Sequence, residues 1–128
     1  MNKKFDQLNI NNNMNINKQE LLFDNGRYIG QVVNGLPEGK GIIYYNGGDR
    51  YEGEWKNGKK EGKGIDYYHH EPFRGDRYEG DWRNGHHEGK GIYYYHNGDR
   101  SMGDFYNDKP VGKHVTLTKN GKVKVNNY

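Results

Sequence analysis

Residues 78–100 read YEGDWRNGHHEGKGIYYYHNGDR and set glycines, tyrosines and a tryptophan among many charges. Tyr78, Gly80 and Trp82 alternate with Glu79 and Asp81, the period-two pattern of a half-buried strand. Asn84-Gly85 marks a turn. Beyond it Gly89, Gly91, Tyr93 and Tyr95 alternate with Lys90, Ile92 and Tyr94, and Asn97-Gly98 marks the next turn. The stretch therefore predicts a β-hairpin. Gly80, Gly89 and Gly91 share the parity of Tyr78, Trp82 and Tyr95, so the missing side chains leave room for rings from neighbouring strands to lie over the backbone. Glycine costs entropy in a strand, and buried aromatic area offsets that cost.

The pattern recurs along the chain. Units begin at Tyr28, Tyr51, Tyr78 and Ser101 and span residues 28–50, 51–77, 78–100 and 101–123. The second has 27 residues where the others have 23, because HHEPFRGDR lengthens its closing loop. A half-unit, residues 20–27, precedes the first. Successive hairpins are expected to pair edge to edge as one meander over residues 20–125, with an asparagine-rich arm (1–19) before it and a short tail (124–128) after it. The arm holds seven asparagines and sustains no amphipathic period, so it reads as a low-complexity segment.

The units at Tyr51 and Tyr78 resemble the MORN (membrane occupation and recognition nexus) repeat. The resemblance rests on Tyr51, Gly53, Trp55, Gly58, Gly62 and Gly64, and on Tyr78, Gly80, Trp82, Gly85, Gly89 and Gly91. The first unit departs at Val32, where tryptophan is expected. The last departs further, with Ser101, Phe105, Asp108 and His114 in place of tyrosine, tryptophan and two glycines, a drift suited to a capping unit. The resemblance implies an all-β fold, an elongated single-layer antiparallel sheet of consecutive hairpins, curved into a groove.

Ile42, Tyr44, Ile65, Tyr67, Ile92 and Tyr94 have the parity opposite to the tryptophans. Two readings stand: a bulge turns these side chains inward, or they form a second stripe that meets a partner.

Composition bounds the function. The 128 residues carry 20 basic and 17 acidic side chains, a net charge of +3, which is no single-sign field for nucleic acid. No cysteine is present, so disulfides and cysteine-ligated zinc are excluded. No apolar run approaches the roughly 20 residues of a membrane-spanning helix, and the first residues lack the apolar core of a secretory signal. With one serine and two threonines, an activated nucleophile has almost no candidate, and no catalytic residue is expected. Glu54, Asp81 and Asp104 recur at one position of each repeat, which suits solvated strand faces. His69-His70 and His86-His87 read as surface turn residues at opposite edges of the sheet, so no metal or other cofactor is expected. The Gly-Lys-Gly runs lack the serine or threonine and the helix of a phosphate-binding loop.

What remains is a non-enzymatic scaffold. MORN-like arrays occur as adaptors in ciliary and cytoskeletal assemblies, radial-spoke components among them. The resemblance thus implies other proteins of a multi-subunit complex as partners and a cytoplasmic, ciliary or cytoskeletal setting. The expected partner surface comprises Tyr51, Trp55, Tyr78, Trp82 and Tyr95 in the groove, Tyr44, Tyr67 and Tyr94 on the other face, and Pro72 and Phe73 in the enlarged loop. The alternative is a peripheral module for anionic phospholipid. In it Lys40, Lys63, Lys90 and Lys113 meet headgroups at up to about 1 kcal/mol each, blunted by Glu38, Glu61 and Glu88.

Overall fold

The computed structural model describes residues 3–9, of which only the backbone is considered, and residues 18–128. Among the described residues, eleven strands form one antiparallel sheet in strict chain order. They are β1 (Lys3–Asn9), β2 (Lys18–Phe23), β3 (Gly26–Val33), β4 (Leu36–Tyr45), β5 (Arg50–Lys56), β6 (Lys59–Tyr67), β7 (Arg77–Arg83), β8 (His86–Tyr94), β9 (Arg100–Tyr106), β10 (Lys109–Leu117) and β11 (Val123–Asn127). The hairpins expected from the repeat are β3–β4, β5–β6, β7–β8 and β9–β10, and each pairs with the next.

Both ends differ from the expectation. Part of the low-complexity arm is a strand, β1, paired with β2; residues 1, 2 and 10–17 lie outside the described residues. The expected tail is also a strand, since β11 pairs residue for residue with β10. Its side chains are exposed, so it presents none of the buried periodicity by which a strand is recognised.

In the first three hairpins an Asn-Gly pair makes the tight turn, and in the fourth Asn107-Asp108 does. Asn84 and Gly85 have φ of 51° and 86°, the double left-handed conformation whose twist matches a two-residue hairpin. After the turn the register slips: Trp82 pairs with His87 but Gly80 pairs with Gly91, so Glu88, Gly89 and Lys90 oppose Asp81 alone. Gly89 takes up the bend with φ of 111°, so it is a bulge residue and not a platform for a ring. The bulge adds two residues to one strand, and an even number preserves facing. Ile92 and Tyr94 therefore remain on the face opposite Trp82, which removes the reading in which a bulge turns the isoleucine and tyrosine stripe inward.

The core lies on one face. Tyr28, Tyr51 and Tyr78 are 0% exposed, and Trp55 and Trp82 are 4% exposed. Their rings meet edge to face down the sheet: Tyr28–Trp55 at 5.3 Å, Trp55–Tyr51 at 5.2 Å, Tyr51–Trp82 at 4.9 Å, Trp82–Tyr78 at 5.5 Å and Tyr78–Phe105 at 5.0 Å. Each tyrosine lies over a glycine of the adjacent strand. A Cβ on Gly91 would sit 2.5 Å from Cε2 of Tyr78 and 2.7 Å from its hydroxyl. The polar tips are satisfied on the backbone: the Tyr78 hydroxyl donates to the Asp81 carbonyl at 2.7 Å, and the Trp82 indole N–H donates to the Gly64 carbonyl at 3.1 Å.

The capping hairpin solves the same problem with exchanged residues. Ser101 stands where tyrosine stands in the other units, and His114 where glycine stands. The His114 ring, 1% exposed, lies over Gly103 and donates from Nε2 to the Asp104 carbonyl at 2.7 Å, the bond a tyrosine at 101 would otherwise make. Ser101 Oγ donates to its Nδ1 at 3.3 Å.

Candidate binding groove

On the face away from the rings, the glycines are register partners in an unbroken row: Gly30, Gly41, Gly53, Gly64, Gly80, Gly91 and Gly103, one per strand from β3 to β9. The neighbours before and after each glycine point to this face, leaving bare backbone between them. A groove of about 900 Å³ runs along that backbone from β3 to β7, with Ile29, Ile42, Glu52, Ile65 and Glu79 along one side and Gln31, Lys40, Glu54 and Lys63 along the other. A second hollow of about 350 Å³, bounded by Ile92 and Met102 against Lys90 and Asp104, continues it over Gly91 and Gly103.

The polar side of the groove is a charge ladder. Lys40 opposes Glu54, Lys63 opposes Asp81 and Lys90 opposes Asp104. Lys63 is ion-paired with Asp81, and Lys90 Nζ lies 3.4 Å from Asp104. The recurring acids also hold the bulges: Glu54 accepts from the Lys63 N–H at 2.6 Å and Asp81 from the Lys90 N–H at 2.9 Å. They are structural acceptors as well as surface charges.

Burial alone would raise the Asp81 carboxyl, but the bond from Lys63, the Lys90 N–H and both lysine charges outweigh it and hold its pKa below the usual carboxylate value. A carboxyl whose pKa is lower folded than unfolded stabilises fully above the unfolded value near 4, and that stability is lost as pH falls through the folded value. In Asp81→Asn, where the amide oxygen still accepts from Lys90, thermal stability is expected to fall less steeply between about pH 4 and pH 2 than in the parent. Melting curves across that range measure the difference.

Beyond the isoleucine row lies a third, of alternating arginine and tyrosine. Arg50 lies 3.9 Å from the Tyr67 ring centroid and Arg77 3.7 Å from that of Tyr94, while Arg27 stands 5.6 Å from that of Tyr44. Each pair is a register pair, so the ladder is written into the sheet.

The expected partner residues separate. Tyr44, Tyr67 and Tyr94 are on the groove face, under arginines, and Lys40, Lys63 and Lys90 edge the groove. Lys113 is exposed on β10. Tyr51, Trp55, Tyr78 and Trp82 are not in the groove. They form the core on the opposite face, where they pack against one another, and their rings are closed to a partner in the folded chain. Tyr95 and Phe73 are also on the ring face but are 40% and 45% exposed, around a cavity at its C-terminal end. Pro72 is exposed in the enlarged loop.

The histidines depart from the turn reading. His87 is 6% exposed, stacked on Tyr78 with centroids 3.6 Å apart, and its Nε2 is 3.1 Å from Asp66. His70, placed at the opposite edge from the sequence, lines the same cavity as His87, because the enlarged loop folds back over the rings. The GDR aspartates were also missed as functional parts: Asp49, Asp76 and Asp99 accept from the N–H groups of His69, His96 and Lys119, one unit ahead. Their recurrence at the end of each unit is the signal that would have found them.

A one-layer sheet of repeated hairpins, with rings on one face and a glycine-floored groove on the other, defines a repeat module. The family model of the MORN repeat matches residues 28–50, 51–65 and 78–100, and the chain is a MORN-repeat protein. Such repeats are generally protein- or membrane-interaction modules. A comparison with curated proteins finds no match. Among the described residues no helix is long and apolar enough to cross a membrane.

Proposed function

We propose that the chain is a non-enzymatic adaptor that holds a segment of a protein partner along the glycine-floored groove. The groove itself carries this reading: from β4 to β7 one side alternates isoleucine with glutamate and the other lysine with a carboxylate, and both recur at the spacing of the strands. A segment with alternating apolar and basic residues along one edge and mixed charges along the other complements it. The proposed setting is cytoplasmic, in an axonemal or other cytoskeletal assembly, and rests on the MORN resemblance and the asparagine-rich composition. The lysines give little support to anionic lipid, since Lys63 and Lys90 already face Asp81 and Asp104.

Cross-linking mass spectrometry of the native complex identifies the partner, and Ile65→Asp then tests the surface. Ile65 is half-buried and outside the ring core, so the variant is expected to fold and to lose about tenfold or more in affinity for that partner. Undiminished capture by Ile65→Asp, or salt-sensitive sedimentation with anionic vesicles in the absence of protein partner, would overturn the proposal.

A further inference from the structure

The ring face carries a cavity of about 400 Å³ at its C-terminal end, away from the groove. It exists because of the enlarged loop: residues 66–77 fall outside the family match, and they supply Tyr68 and Phe73 to one wall. Tyr93 and Tyr95 continue that wall, and Phe105 and Tyr128 face it. Tyr68 and Tyr93 lie near parallel at 6.2 Å, Phe73 tilts against Tyr68 at 6.1 Å, and Tyr95 leans on Tyr93 at 4.8 Å. Two carboxylates, Asp76 and Asp108, reach the same space, and no lysine or arginine lines it.

Those carboxylates are electrically present but chemically occupied. Asp76, 5% exposed, accepts from the His96 N–H at 2.7 Å and the Tyr93 hydroxyl at 2.8 Å, with His96 Nδ1 2.7 Å from the same carboxylate. Asp108 accepts from the His87 N–H at 2.8 Å and pairs with His86 at 2.7 Å. Each oxygen already accepts at least one hydrogen bond, so an ammonium or guanidinium, which gives up several hydrogen bonds to water on entry, recovers only part of them here. A cation with no N–H has no such need, and aromatic faces within a negative field are the surroundings it favours. We propose that this cavity binds a quaternary ammonium group, the chemistry shared by free choline-type solutes and choline headgroups. Burial first, then the neighbouring aspartates, push the phenols of Tyr68 and Tyr93 up, which keeps both rings neutral.

Titration of the full chain with choline chloride, followed by NMR or tyrosine fluorescence, tests the site. The expected result is saturable binding, at least about tenfold tighter than that of 3,3-dimethylbutanol, the neutral isostere, and than that of ammonium or methylguanidinium. Phe73→Ala and Asp108→Asn, both at exposed positions, are each expected to weaken choline several-fold with the far-UV circular dichroism unchanged. Phosphatidylcholine vesicles separate the sources: sedimentation with them that free choline competes away assigns a lipid headgroup, and choline binding without sedimentation assigns a free solute. No saturable choline binding, or equal binding of the neutral isostere, would overturn the assignment.

Discussion

Replacing Trp82 by alanine is expected to cost about 3–5 kcal/mol of stability, a large share of what a domain of this size possesses. Three losses combine. The indole is packed edge-on between Tyr51 and Tyr78, it is 4% exposed, and its N–H satisfies the Gly64 carbonyl across the sheet. A single layer has no second sheet to collapse into the space, so the vacated volume is refilled by water against neighbouring rings. Trp82→Phe retains an aromatic ring but abandons the Gly64 carbonyl, and an intermediate loss is expected, as Phe105 at the equivalent position of the capping hairpin makes no such bond. Urea unfolding measures all three proteins. A loss below about 1 kcal/mol for Trp82→Ala would mean that the rings are not the core.

The second large effect concerns the exchanged pair in the capping hairpin. His114→Gly alone removes the ring over Gly103 and the donor to the Asp104 carbonyl, and is expected to cost about 2–4 kcal/mol from cavity and unpaired acceptor together. Ser101→Tyr alone forces a phenol into space the imidazole holds, an overpacking worth about 1–3 kcal/mol. The double variant rebuilds the tyrosine-over-glycine arrangement of the other three hairpins. Its stability is expected near that of the parent, with a coupling of about 2 kcal/mol or more between the sites. Strict additivity in the four-member cycle would contradict the exchange.

Much of the fold was legible because the repeat states it several times. The alternation of Tyr78, Gly80 and Trp82, the Asn84-Gly85 turn and the parity of Gly91 give strands, hairpin and ring platform directly, and the structure has all of them. Facing was harder. That Ile92 stays opposite Trp82 depends on the bulge at Glu88-Gly89-Lys90 adding an even number of residues, a count that no single strand reveals. Four residues expected at a partner surface lie in the core for a related reason: aromatic residues signal cores and interfaces alike, and only their burial against one another shows that Tyr51, Trp55, Tyr78 and Trp82 serve as the core. Strand β11 escaped notice because an edge strand with exposed side chains has little pattern, and His87 because its neighbours Tyr78 and Asp66 are distant in sequence.

From Tyr28 to Trp82 the packed rings close one face of the sheet, and the glycine row leaves the other open. The chain has no cysteine, so a single introduced thiol reports on its own surroundings. Ile42 and Ile43 are adjacent in β4 and point to opposite faces, Ile42 into the groove and Ile43, 0% exposed, among the rings. Thiol labelling of Ile42→Cys and Ile43→Cys is therefore the most direct measurement. Ile42→Cys is expected to react readily in the folded protein, while Ile43→Cys reacts only as fast as the protein unfolds. Comparable rates at the two positions, or protection at residue 42 and reaction at residue 43, would contradict this assignment of the two faces.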